Sequence, residues 1–274
     1  MSIKHRSFQA HSVQREITPY GKIPPDVEPG ELQTWILFED DDLLVINKPG
    51  WLVCHPSKRG PMSSLIGAAR VHTGIESLHI VALLDRETSG VVVLAKNSAS
   101  ARKYQMAVER RQVNKTYVAV LDGELESAVT VEKPIGKCTT SIIHSKMEVT
   151  SDVANSKSAV TLFLPGFVNN GHTFCEITMQ TGRRHQIRVH AQSIGHPIVG
   201  DKIYGPDETL FIEFMENGWT DYHASRLPIP RQALHCRRYS FQFDTGEVGF
   251  EAPIPSDMVR LCRDQMQTDL ARIT

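Results

Sequence analysis

The chain has 274 residues, of which 41% are hydrophobic and 22% charged, and a formal net charge of −1. That is enough for one large domain or two small ones with a substantial core. Its longest apolar runs fall far short of a membrane span, and its first twenty residues hold no signal-peptide core, so a cytoplasmic protein is expected. Five cysteines, at 54, 138, 175, 236 and 262, are scattered without a C-x-x-C pair. This points to reduced thiols and away from a zinc knuckle or a disulfide frame.

Residues 1–30 close in the Pro-rich stretch from Ile23 to Gly30, read as an extension without regular structure. Trp35–Phe38 and Leu43–Ile46 then read as a hairpin around the acidic turn Glu39-Asp40-Asp41-Asp42, broken after Ile46 by Asn47-Lys48-Pro49-Gly50. Two β-branched runs follow, Ile80–Leu83 and Val91–Ala95, and between them stands Leu84-Asp85-Arg86-Glu87-Thr88-Ser89-Gly90. The pattern is strand, turn, strand, so Asp85 sits where a buried strand breaks. On this stretch alone two readings stay open. The carboxylate is shielded from water yet reachable by a ligand, or it ties down a turn through side-chain-to-backbone hydrogen bonds.

Ser98–Arg111 carries Ala101, Tyr104, Ala107 and Val108 at helical spacing, with Ser98 as the expected N-cap. Thr116–Leu121 reads as a strand closed by Asp122-Gly123, and further strands are expected at 158–164, 173–179, 234–243 and 247–251. Arg183–Ile194 suits a helix stopped by Gly195 and Pro197, and Ser256–Ile273 suits a last helix capped by Ser256. In the segment 206–231, Leu210, Phe211, Phe214 and Met215 recur at helical spacing and are expected to pack on the core. Strands dominate without alternating with helices. The expected class is therefore α+β, with a largely antiparallel mixed sheet flanked by helices and loops.

The near-neutral total hides segregated charge. Arg102, Lys103, Arg110, Arg111 and Lys115 face only Glu109, and Arg183, Arg184 and Arg188 stand without an acid. Either these are solvated faces, or they form local basic surfaces suited to a phosphate backbone. On the expected helix Arg184, Arg188 and Gln192 share a face, which fits arginines positioned to pair with a carboxylate or phosphate. His185, His190 and His196 do not share one, which argues against a metal site there. No nucleophile elbow, phosphate-binding loop or dinucleotide fingerprint is present.

Taken together, five stretches in chain order resemble the RluA-type pseudouridine synthases, which isomerise uridine in structured RNA. Leu84–Gly90 looks like their catalytic motif, and Asn47-Lys48-Pro49 through His55-Pro56 like their first. Lys115-Thr116-Tyr117 resembles the segment with their active-site tyrosine. Thr181–His190, followed by Gly195–Asp201, resembles their arginine motif, and Gln232–His235 a weaker last one. The resemblance implies a pseudouridine synthase-like catalytic domain over 35–274, preceded by an N-terminal extension over 1–34 with no S4 RNA-binding domain. It implies Asp85, Tyr117 and Arg188 as catalytic residues. Lys48, Arg86, Arg183, Arg184 and His185 would bind the substrate. No cofactor or metal would be needed, ribosomal or transfer RNA would be the partner, and a monomer is expected. The chain departs from the pattern at Ala82 and Leu83, where the family has His-Arg, and at Trp51, where it has glycine. Ala82 and Leu83 favour the alternative of an RNA-binding protein that kept the fold and lost turnover.

Overall fold

The computed structural model describes residues 23–55 and 59–270. In chain order the elements open with β1 (Ile36–Glu39), β2 (Leu43–Lys48), α1 (Leu65–Thr73), β3 (His79–Ile80), β4 (Ser89–Ala95) and α2 (Ser98–Glu109). There follow β5 (Val113–Asp122), β6 (Val129–Glu132), β7 (Ile135–Lys137), β8 (Met147–Val149), β9 (Ser156–Lys157), β10 (Val160–Asn169) and β11 (His172–Met179). The chain continues through α3 (Gln186–Ser193), α4 (Thr209–Asn217), α5 (Asp221–Ala224), β12 (Leu234–Phe243), β13 (Gly246–Glu251) and α6 (Ser256–Met266). The class is α+β with mostly antiparallel pairing, as expected. The described part of the extension, from Ile23 to Gly30, holds no regular element, and residues 1–22 lie outside the described residues.

Two compact units divide the chain. The first contains Ile23–Lys115 and His235–Ile254, and the second Thr116–Leu234 with the segment from Pro255 onward. In the first, β4 is the central strand, and every one of its residues is buried. Such a continuous β-branched run needs neighbours on both edges. β2 pairs antiparallel along one edge, from Leu43↔Ala95 to Lys48↔Gly90. The other edge is shared: β12 pairs parallel at Ser89 and Gly90, and β3 antiparallel at Leu94 and Ala95. β1 closes on β2, and β13 on β12. Trp35 falls in a short 3-10 turn rather than in β1, buried edge-on against Trp51 with ring centroids 6.0 Å apart. Trp51, the large residue at a position where glycine was expected, is thus part of the core.

The second unit is built on β5, β11, β10 and β6, each antiparallel to the next. Asn170-Gly171, both at positive φ, close the β10–β11 hairpin, as a two-residue turn that follows strand twist demands. A small sheet of β8, β7 and β9 stands beside α3. Ile135, Ile143, Ala159, Val189, Ile203 and Tyr204 form a core to which α4 adds Phe211 and Ile212. The segment 206–231 therefore packs on its own unit, with Leu210 and Phe214 buried. Trp219 stacks on His223 there, at 5.4 Å and 24°. Asn169 Nδ2 donates to the Met266 carbonyl at 2.9 Å, joining β10 to the end of α6.

Candidate active site

Asp85 lies on the loop between β3 and β4. The β-branched run Ile80–Leu83 predicts a strand, but pairing ends after Val81, whose N–H reaches the Val93 carbonyl at 3.0 Å. The reason is the shared edge of β4. Farther along it, β12 already occupies Ser89 and Gly90, so residues 82–88 must leave the sheet. Gly90 permits that arrangement. It sits at φ +112, and a Cβ there would lie 2.2 Å from the Cys236 carbonyl oxygen. Only glycine allows β12 so close in that conformation. The loop closes with the Thr88 N–H on the Asp85 carbonyl at 3.2 Å, and Ser89 Oγ hydrogen-bonds His235 Nδ1 at 2.9 Å. Asp85 itself is half-buried, so its backbone is fixed while its side chain stays within reach of solvent.

Lys48 clamps the loop from below. Its side chain is fully buried, and its ammonium donates to the carbonyls of Pro49 (2.8 Å), Leu52 (2.9 Å) and Arg86 (2.9 Å). Lys48, expected from the sequence to bind substrate, lies fully buried here, where its ammonium orders the backbone of the loop through these carbonyls. Cys54 Sγ donates to the Leu84 carbonyl at 3.4 Å. Burial pushes the Cys54 thiol up, Lys48 opposes that, and Asp85 adds to it, so the thiol stays protonated beside the loop. Arg86 is half-buried, and Leu83 is 48% exposed at the loop surface.

Arg188 is held differently. It sits on α3, 5% exposed, and makes a two-pronged ion pair with Asp201: Nε to Oδ2 at 2.6 Å and Nη2 to Oδ1 at 2.9 Å. Burial pushes the Asp201 carboxyl up, yet Arg188 and the N–H groups of Tyr204 and Ile203 outweigh it and hold it below the usual range. The guanidinium also lies 4.9 Å from the centre of the Tyr204 ring. Gly200, at φ +80, lets the chain before Asp201 pass the Arg231 carbonyl, which a Cβ would meet at 2.1 Å.

The predicted helix from Arg183 starts three residues late, for a local reason. Gln186 is buried and captures the turn ahead of it: its Oε1 accepts from Thr181 Oγ1 (2.8 Å) and Arg183 N (3.0 Å). Its Nε2 donates to the Val160 carbonyl (3.0 Å) and Thr161 Oγ1 (2.9 Å). His185 then takes a left-handed conformation, φ +55, with Nδ1 hydrogen-bonded to Tyr204 Oη at 2.9 Å. Such a backbone in a non-glycine residue is a local strain, of the kind found at functional sites. Arg183 Nε donates to the Ser158 carbonyl at 3.0 Å, and Arg184 is exposed. Tyr117 is buried on β5 opposite Ile177.

The first unit thus brings Lys48, Asp85 and Arg86 to one loop, and the second brings Arg183, Arg184, His185 and Arg188 to one loop and helix. Asp201, Tyr204 and Gln186 belong to the Arg188 segment and were not singled out from sequence. Their signal was thin: a Gly-Asp pair followed by Tyr at the third residue, and one glutamine among arginines. The histidines at 185, 190 and 196 are engaged separately. His190 is fully buried between Thr161 Oγ1 (2.8 Å) and the Lys133 carbonyl (2.9 Å), and His196 meets the Asp122 carbonyl at 3.0 Å. Among the described residues no cluster of His, Cys, Asp and Glu could hold a metal, and no helix is long and apolar enough to cross a membrane.

Residues 42–193 match the family model described as RNA pseudouridylate synthase. Over 238 residues the chain is 33% identical to an uncharacterized RNA pseudouridine synthase of Mycoplasma pneumoniae, covering 86% of this chain and 71% of that one. It is 34% identical to ribosomal large subunit pseudouridine synthase D of Vibrio vulnificus, over 82% of this chain and 69% of the relative. Among solved structures, human RNA pseudouridylate synthase domain containing 4 superposes with a TM-score of 0.65 at 27% identity, covering 85% of this chain and 93% of the other. Human RNA pseudouridylate synthase domain containing 1 gives 0.63 at 26%, covering 82% and 86%.

Proposed function

The chain belongs to the RNA pseudouridylate synthase family and is an isomerase acting on RNA; from that premise we propose that it isomerises specific uridines of structured RNA, with Asp85 as nucleophile and without a cofactor. The observation that carries the reading is the Asp85 loop, a half-buried carboxylate on a backbone fixed by Lys48, Gly90 and the Thr88 turn. Relatives named for the ribosomal large subunit support ribosomal RNA as substrate; transfer RNA is the other substrate considered. The protein acts as a soluble cytoplasmic monomer in this reading.

The target uridine leaves its stack, at a cost of a few kcal/mol that is smallest in loops. Asp85 attacks C1′ as the bond between N1 and C1′ breaks, and the carboxylate is held there as an ester while the uracil turns. C5 then bonds to C1′ as the Asp85–C1′ bond breaks and frees the carboxylate; the C5 proton passes to water, and N1 takes up a proton. Tyr117 packs its ring on the base and its hydroxyl assists the C5 proton. Arg188, its guanidinium held by Asp201, is the cation that this reading assigns to the reaction. Arg86, Arg183 and Arg184 meet phosphates, which makes affinity salt-sensitive, and His185 orients the entry to α3 beside them.

The test uses bulk RNA carrying tritium at uridine C5. The wild type releases label to water, and Asp85→Asn abolishes release, at least a thousandfold down, while RNA binding survives. Equal, negligible release by both proteins on every RNA class would leave only an RNA-binding protein. Mapping modified uridines in cells with and without the gene product identifies the site.

A further inference from the structure

The first unit has a concavity lined by none of the residues assigned above. A pocket of about 380 Å³ opens between α1 and the turn at Gly60 and Pro61, bounded by Ser64, Arg70, Val71 and Glu76. Its size is within the ordinary range for small-molecule sites. The floor is built by backbone contact: a Cβ on Gly67 would lie 2.1 Å from the Pro61 carbonyl oxygen, so α1 and the turn touch directly there. Ser64 caps α1 by accepting from the Gly67 N–H at 3.2 Å, which fixes the wall.

Two charged side chains line this space, Arg70 half-buried and Glu76 exposed. Arg70 Nε is buried with no hydrogen-bond partner, an arrangement that folded proteins rarely keep without a use. Among the described residues neither Arg70 nor Glu76 has an ion-pair partner, although both line the pocket. Glu76 disfavours a lone anion and Arg70 a lone cation. The occupant must present two acceptors to a guanidinium and two donors to a carboxylate, on a flat body that rests against Pro61 and the 60% exposed Val71. Among the RNA bases guanine alone pairs those features. O6 and N7 match an arginine fork, and N1–H with the N2 amino group match a carboxylate; adenine and cytosine offer a carboxylate only one amino group.

We propose that this pocket holds an unpaired guanosine of the RNA substrate, read by Arg70 and Glu76, and so helps select which RNA is modified. The inference rests on the reading that the substrate is RNA. Unpaired bases are read in this way on their exposed edges.

The full chain is titrated calorimetrically with the 5′-monophosphates of guanosine, adenosine, cytidine and uridine. Guanosine monophosphate binds at least about tenfold more tightly than the others, a discrimination typical of one good bidentate pair. Arg70→Met and Glu76→Gln each weaken it about tenfold, and inorganic phosphate does not displace it. With RNA, Arg70→Met raises KM for tritium release and leaves kcat within about twofold. Equal affinity for all four nucleotides, no binding of guanosine monophosphate, displacement by phosphate, or unchanged binding in both variants each overturns the proposal. The wild-type base preference decides the matter even if a variant folds poorly. Guanosine selection without tritium release from any RNA would sink the isomerase reading and leave the pocket standing; normal release without selection would do the reverse.

Discussion

The Asp85 loop and the Arg188 segment each fix a side chain assigned to the same chemistry, by opposite means. Around Asp85 the work is done by backbone: a glycine that admits a neighbouring strand, a turn hydrogen bond, and three carbonyls gathered on one buried ammonium. Around Arg188 it is done by side chains, a carboxylate gripping the guanidinium and a glutamine binding the turn that precedes the helix. A loop ordered through its main chain tolerates change in the residues it displays. A segment ordered through side chains does not, because each partner is a specific chemical group. This contrast fits the departures from the family pattern, Ala82 and Leu83, falling on the Asp85 loop.

The sharpest way to break the contrast is on the arginine side. Asp201→Asn removes the carboxylate that grips Arg188 in a buried space and is expected to lower stability by about 3–5 kcal/mol, read from urea midpoints, with turnover falling alongside. Replacing both Arg188 and Asp201 by methionine should recover most of the stability and none of the turnover. If turnover returned with stability, Arg188 would be a structural residue only.

On the aspartate side, Lys48→Met strands three carbonyls in a buried space, at a cost of about 3 kcal/mol. Its signature differs: RNA affinity at low salt and its salt dependence stay as in the wild type, since Lys48 is not a phosphate contact. A shallower salt slope in that variant would restore Lys48 to the binding surface.

The smallest effect is a titration. Burial pushes the His190 imidazole down from its ordinary value of 6.5, Lys133's charge adds to this, and the hydrogen bond to the Lys133 carbonyl opposes it in part. The carbonyl can only accept, so Nε2 carries the proton and Nδ1 accepts from Thr161. A lowered folded value means that the unfolded chain binds the proton first. Stability is therefore full above about pH 6.5 and declines as pH falls toward the depressed value. Melting temperatures from pH 7.5 to 5.5 should show the decline, and His190→Gln should flatten it.

Much of this was legible in the residues. The turn at Asp85 was visible because two apolar runs stop abruptly on either side of it, and the hairpin, β10, β11, β12 and β13 came from simple alternation. What escaped was set by groups distant in sequence. Ile80–Leu83 has strand chemistry throughout, but β12 takes the edge it would need. Ser98 looked like a cap, yet Asn97 performs that role, its side chain accepting from Ser100 N at 2.9 Å. Ser256 is likewise the first residue of α6 and not its cap, and that helix stops at Met266 because Gln267 turns left-handed, well short of residue 273. α1 was missed altogether: its Gly67 weakens the helical signal, and the reason for that glycine is the turn pressed against it. Arg188 was found as a positioned cation, but its partner lies thirteen residues away, beyond any helical period.

The three tryptophans fall unevenly between the units. Trp35 and Trp51 meet edge-on in the first, while Trp219 lies flat on an imidazole in the second. Intrinsic fluorescence is therefore a two-channel reporter, and a Trp219→Phe protein emits from the aspartate half alone. Comparing its denaturation curve with that of the parent reveals whether the halves melt as one cooperative body or in succession.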